Sequence, residues 1–186
     1  TLMPAPRALP AFSLQQSDGT ALTAEDLAGR WTIVFIGFTH CPDICPTTLA
    51  QLASAQKQWA AIPAQSRPRV LFISADPERD SPKLTGDYAH AFHPDTLAAT
   101  GPLPALEDFA RSLSLVFMKA PGASGSPDDY SIDHSAALVL LDPQVRMAGV
   151  VQPPFDVKAI ATDLEMLANS AAPSQPSPSA TAKATE

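Results

Sequence analysis

Trp31-Thr32-Ile33-Val34-Phe35-Ile36-Gly37-Phe38-Thr39-His40-Cys41-Pro42-Asp43-Ile44-Cys45-Pro46-Thr47-Thr48 joins an apolar run directly to the chain's only two cysteines. The run from Trp31 to Phe38 has strand length and is rich in β-branched and aromatic residues, which marks a buried strand. Pro46 lacks an N–H and would clash with the Pro42 carbonyl in a continuous helix. The spacing therefore predicts a helix beginning near Cys45 or Pro46 and running to about Ala61, with Leu49, Leu52, Ala53 and Gln56 at helical intervals. Cys41 then lies on the incoming loop. A helix N-terminus offers unpaired N–H groups and a partial positive charge, both of which favour a thiolate.

Working outward, Phe12 to Gln16 and the turn Ser17-Asp18-Gly19-Thr20 read as a strand entering a hairpin. Thr23 caps a short helical turn that ends at Gly29. On the other side, Val70 to Ser74 is a second core strand, and Ser81-Pro82 opens a helix running to about Phe92. Pro104 to Leu113 is expected to be helical and Leu115 to Met118 a short strand. Gly122 to Asp129 reads as a polar loop and Asp129 to Ser135 as a further loop. Ala136 to Leu141, a turn at Asp142-Pro143, and Met147 to Val151 form a hairpin, followed by a helix from about Asp156 to Ala168 with Ile160, Leu164 and Leu167 on one face. A β-α-β half followed by a hairpin and a terminal helix is the layout of a thioredoxin-like α/β fold. It predicts a mixed central sheet flanked by helices, here with an N-terminal β-hairpin extension. Residues 1–9 are expected to be an N-terminal flank, 10–170 the folded unit, and the Ala/Ser/Pro-rich 171–186 a disordered tail.

Composition narrows the function. The 186 residues carry a net charge of -7, and 18 of the 19 acidic residues fall within 11–170, so the acidity belongs to the folded unit. With 12 Lys+Arg and no basic run, binding to nucleic acid or to an anionic membrane surface is excluded. No stretch reaches the roughly 20 apolar residues of a membrane span. The first residues lack a charged n-region and apolar h-region, so any leader is expected to lie outside this sequence. Two cysteines five residues apart cannot make a disulfide scaffold, and so short a loop gains little from closure. A passive surface disulfide is the bland alternative. Reactivity suits a loop bounded by two prolines at a helix entrance better.

Three intervening residues let two thiolates share one metal without standing at bonding distance. Such a soft pair suits Cu(I), or Zn(II) with two further ligands. In the thioredoxin layout the loop before the hairpin strand faces the cysteines, and there this chain has Asp133-His134-Ser135, which offers an imidazole to complete a Cys2His set. Asp133 is a candidate to orient the ring. Asp76-Pro77-Glu78-Arg79-Asp80 follows a core strand, so Asp76 is a candidate to face the same edge. A histidine satisfied by Asp133, and a solvated turn capped by Ser81, are the plain alternatives. His40 flanks a ligand and is expected to point away. His90 and His93 flank Phe92 near a helix end, and with the four scattered methionines they read as structural.

In their order and spacing, Thr39 to Thr48, Asp76 to Asp80, Ala91-Phe92-His93-Pro94, Asp133-His134-Ser135 and Leu141-Asp142-Pro143 resemble the Sco family, also called SenC/PrrC. The resemblance covers nearly the whole folded unit. It implies a thioredoxin-like metallochaperone that delivers copper, as Cu(I) and/or Cu(II), to the copper-centre subunit of cytochrome c oxidase. Carried over by position, Cys41, Cys45 and His134 correspond to the copper ligands and Asp76 to an acidic residue nearby. The family further implies a periplasmic or mitochondrial intermembrane-space setting and an N-terminal membrane anchor not found here. It also implies contact with another copper chaperone or a thiol-disulfide partner. A second function stands beside it, a thiol-disulfide oxidoreductase using Cys41 and Cys45 as a redox pair. A peroxide-reducing enzyme of the peroxiredoxin type is disfavoured, because Thr47 and Thr48 follow the cysteines instead of preceding one.

Overall fold

The computed structural model describes residues 1–170; the tail 171–186, expected to be disordered, lies outside the described residues. Eight strands form one mixed sheet. In chain order they are β1 (Leu2–Ala8), β2 (Leu14–Gln16), β3 (Ala21–Leu22), β4 (Thr32–Gly37), β5 (Arg69–Ser74), β6 (Leu97–Thr100), β9 (Leu138–Leu141) and β10 (Arg146–Val151), and β7 (Phe117–Pro121) with β8 (Tyr130–His134) makes a separate two-stranded ribbon. The sheet order is β1-β10-β9-β4-β5-β6-β2-β3. At its centre β4 runs parallel to β5, pairing Thr32 with Arg69 through Gly37 with Ser74, while β9 runs antiparallel on its other side. Every residue of β4 and β5 is buried. Both faces of these strands are covered, which is why their sequences are continuously apolar instead of alternating.

The helices are α1 (Ala24–Leu27), α2 (Ile44–Trp59), α3 (Pro82–Phe92), α4 (Leu103–Ser112) and α5 (Val157–Ser170). α1 opens with a capping box between Thr23 and Asp26, and Gly29 just beyond it takes φ +88°, a left-handed conformation that suits glycine. α3 starts at Ser81, whose hydroxyl accepts the Leu84 N–H, with Pro82 at the first helical position. α2 packs against α5, where the buried Trp59 donates its Nε1–H to the Ala161 carbonyl at 2.9 Å.

Two expectations need correction, and one strand was not anticipated. Residues 1–9 are not a mere flank, since Leu2–Ala8 is the edge strand β1, antiparallel to β10. Pro4 and Pro6 concealed it, yet an edge strand tolerates proline because one row of its N–H groups has no ladder partner. Tyr130–His134 is not a loop but strand β8, with Phe117 opposite His134 and Met118 opposite Asp133. The neighbouring strand β7 therefore starts later than expected and reaches Pro121. Finally β6, only four residues long, gave no periodic signal, and it extends the parallel set beside β5. The expected hairpin is present as β2 and β3, docked on β6 at the far edge.

Candidate metal centre

β4 ends at Gly37, and within eight residues the chain turns and enters α2. The first turn of α2 has no capping side chain, because Asp43 occupies the cap position without accepting a hydrogen bond through its carboxylate. Burial alone would push the Cys41 thiol up, but hydrogen bonds from the backbone of Cys45, Asp43 and Ile44 and from the Cys45 side chain outweigh it and hold the thiol below its ordinary value. Cys45 is the opposite case. It is wholly buried, and desolvation, together with the nearby Cys41 and Asp80 charges, drives its thiol far up. One sulfur is partly accessible and favoured as a thiolate, and the other is enclosed where burial disfavours the thiolate. Both are free thiols.

His134, the last residue of β8, meets them from across the sheet edge. Its Nε2 lies 3.6 Å from the Cys45 Sγ, and its Nδ1 lies 3.0 Å from the Ser135 carbonyl. A carbonyl can only accept, so Nδ1 is the nitrogen that bears a proton, and in the neutral ring this leaves Nε2 with its lone pair toward the sulfurs. The ring stands edge-on to Phe35 and Phe38, each 6.0 Å away between centroids, which limits its rotation. The donor atoms of Cys41, Cys45 and His134 all lie within 4.8 Å of one another. Metal–sulfur and metal–imidazole bonds of about 2.3 and about 2.0 Å place the donors of a three-coordinate centre roughly 3.5–4 Å apart, so this set fits one ion with little adjustment.

The two carboxylates named from the sequence sit elsewhere. Asp133 alternates to the exposed side of β8, and the ring is oriented by the Ser135 carbonyl in its place. Asp76 is buried, but it groups with His40 and Asp80 instead of the thiols. Its oxygens accept from the Tyr130 hydroxyl at 2.7 Å and the Arg79 Nε at 2.6 Å, while the Arg79 guanidinium stacks 3.7 Å above the Tyr130 ring and donates to the Tyr130 carbonyl. Asp76 thereby ties the loop after β5 to the start of β8, the strand that ends in His134.

Asp80, not singled out from the sequence, pins the other side. This wholly buried carboxylate accepts from the Ser74 hydroxyl and from both the backbone N–H and the hydroxyl of Thr39, two residues before Cys41. His40 is exposed, with Nδ1 3.7 Å from Asp80. The clue to Asp80 was its place in the same acidic run as Asp76.

The chain matches the family model described as SCO1/SenC over residues 3–169. It is 34% identical over 161 residues to a putative copper-binding protein of Stutzerimonas stutzeri, covering 86% of this chain and 76% of that protein. It is 37% identical over 151 residues to the mitochondrial protein SCO1 homolog 1 of Arabidopsis thaliana, covering 80% of this chain and 43% of that protein, so it spans less than half of this longer relative. Among solved structures, Arabidopsis thaliana ScoI with copper bound superposes with a TM-score of 0.77 at 33% identity, over 87% of this chain and 98% of that one.

Proposed function

The chain belongs to the SCO1/SenC family, and from that premise we propose that it binds copper through Cys41, Cys45 and His134 and passes it to the copper-centre subunit of cytochrome c oxidase. The observation that carries this reading is the convergence of two soft sulfurs and one lone-pair imidazole nitrogen within 4.8 Å. The copper-bound structure of the Arabidopsis relative supports the choice of metal. Two thiolates and an imidazole satisfy Cu(I), and Cu(II) accepts the same set with a further oxygen donor.

The unequal thiols suggest an order of events. Cys41, partly exposed and readily ionised, captures the ion first. Cys45 must then release its proton as it ligates, and His134 completes the set through Nε2. Release begins at the same accessible edge, with a receiver's thiolate replacing Cys41 before Cys45 lets go. The same asymmetry favours a second reading, in which Cys41 attacks a partner's disulfide and expels one partner thiolate. Cys45 then attacks the Cys41 sulfur, closing their disulfide and leaving the partner reduced by two electrons. The two readings are compatible, because Cu(I) needs the reduced pair.

We place the protein in the bacterial periplasm, with the mitochondrial intermembrane space as the alternative. No helix among the described residues is long and apolar enough to cross a membrane. The test of delivery is to mix copper-loaded protein with the isolated soluble copper-centre domain of the oxidase subunit and follow the receiver's absorption. Copper moving to the receiver at equimolar ratio is expected; copper that stays with this chain would contradict delivery.

A further inference from the structure

Gly37 ends β4 directly above the cysteine pair. Its φ is not in the left-handed region, so the backbone does not require glycine there. Space does. A Cβ at this position would stand 2.6 Å from the Cys45 Sγ, 3.1 Å from Phe72 Cε2 and 3.4 Å from Phe35 Cε1, where unstrained contacts begin at roughly 3.5 Å. Glycine inside a strand often marks such a close approach. The surroundings leave little room to yield. Gly37 stays in register with Ser74 of β5, its carbonyl accepts the Ala75 N–H at 2.8 Å, and the Phe72 and Phe35 rings are wholly buried.

We propose that Gly37 is a positioning residue for the metal centre: its missing side chain is the seat of the Cys45 sulfur, and any larger residue turns that sulfur away from Cys41 and His134. The sulfur hangs from a single rotatable bond, whereas the strand and both rings are fixed by the sheet and the core. An added methyl group is therefore relieved chiefly by rotation of Cys45. The packing half of the proposal concerns the metal-free protein, and its bearing on metal rests on the copper reading above.

The experiment compares Gly37→Ala in two backgrounds, the natural protein and Cys45→Ala, which has no γ atom to collide with. In reduced, metal-free protein, Gly37→Ala is expected to lower Tm by about 5 °C in the natural background, as overpacking does, and by less than half of that in the Cys45→Ala background. A Gly37→Ala protein that folds only with Cys45→Ala present is the extreme of the same result. An equal loss of Tm in both backgrounds, or failure to fold in both, overturns the proposal. With copper added, Gly37→Ala is expected to weaken binding about 10- to 100-fold and to alter the thiolate-to-copper absorption, as loss of support behind a ligand does. Unchanged affinity and absorption overturn the positioning role. If the natural protein itself binds no copper, the copper reading fails, and the Tm comparison still decides where the Cys45 sulfur sits.

Discussion

At the scale of single residues, the two thiols are opposites, and each has a measurable consequence. Cys41 is held below its ordinary value by helix N–H groups and is partly exposed, so in reduced protein near neutral pH it is expected to be alkylated first while Cys45 is spared. Mass spectrometry of a brief iodoacetamide reaction reads this directly; equal modification of both would contradict it. Cys45 is raised above its ordinary value near 9 by burial. A raised thiol leaves stability intact below the unfolded value and erodes it as pH rises beyond, at about 1.4 kcal/mol per pH unit for one group. Urea denaturation of reduced protein above pH 9 should show that loss, and Cys45→Ala should lack it. Identical pH profiles for the two proteins would refute the assignment. The sequence made Cys41, Cys45 and His134 legible because their spacing and placement on a known layout carry chemical meaning. It mislocated Asp133 because a loop and a strand turn a side chain to different sides, and β8 turns it outward.

Among the elements, the candidate site is held from two directions by buried carboxylates. Asp80 fixes Thr39 on the approach to Cys41, and Asp76, through Arg79 and Tyr130, fixes the strand that carries His134. Asp80→Ala would strand the Thr39 N–H and the Ser74 hydroxyl in the interior. The expected loss is about 2–4 kcal/mol by urea denaturation, and a change within 0.5 kcal/mol, roughly that of a neutral surface substitution, would show the network to be dispensable. Strands β4 and β5 and helices α2, α3 and α5 were readable because long apolar or helical periods announce them. β6 and β1 were not. Four residues hold too little pattern, and a proline-bearing edge strand is recognised only beside its partner β10.

Across the whole molecule, the sheet and helices bring together residues about 90 positions apart in the chain. α2 carries Cys45 and leans on α5 through Trp59, whose wholly buried ring is among the largest in the core. Trp59→Ala should cost about 3–5 kcal/mol in urea denaturation, as removal of a buried aromatic does. A cost under 1 kcal/mol, roughly the net worth of a single hydrogen bond, would mean that the α2–α5 contact adds little to the domain. The central claim is that three distant side chains form one copper centre, and anaerobic titration of the reduced protein with Cu(I) and, separately, with Cu(II) tests it most directly. Absorption should report one equivalent bound with thiolate-to-copper charge transfer. That band should be lost or strongly shifted in each of Cys41→Ser, Cys45→Ser and His134→Ala, while the fold persists. A spectrum and affinity that survive any one of these replacements would remove that residue from the centre and contradict the account.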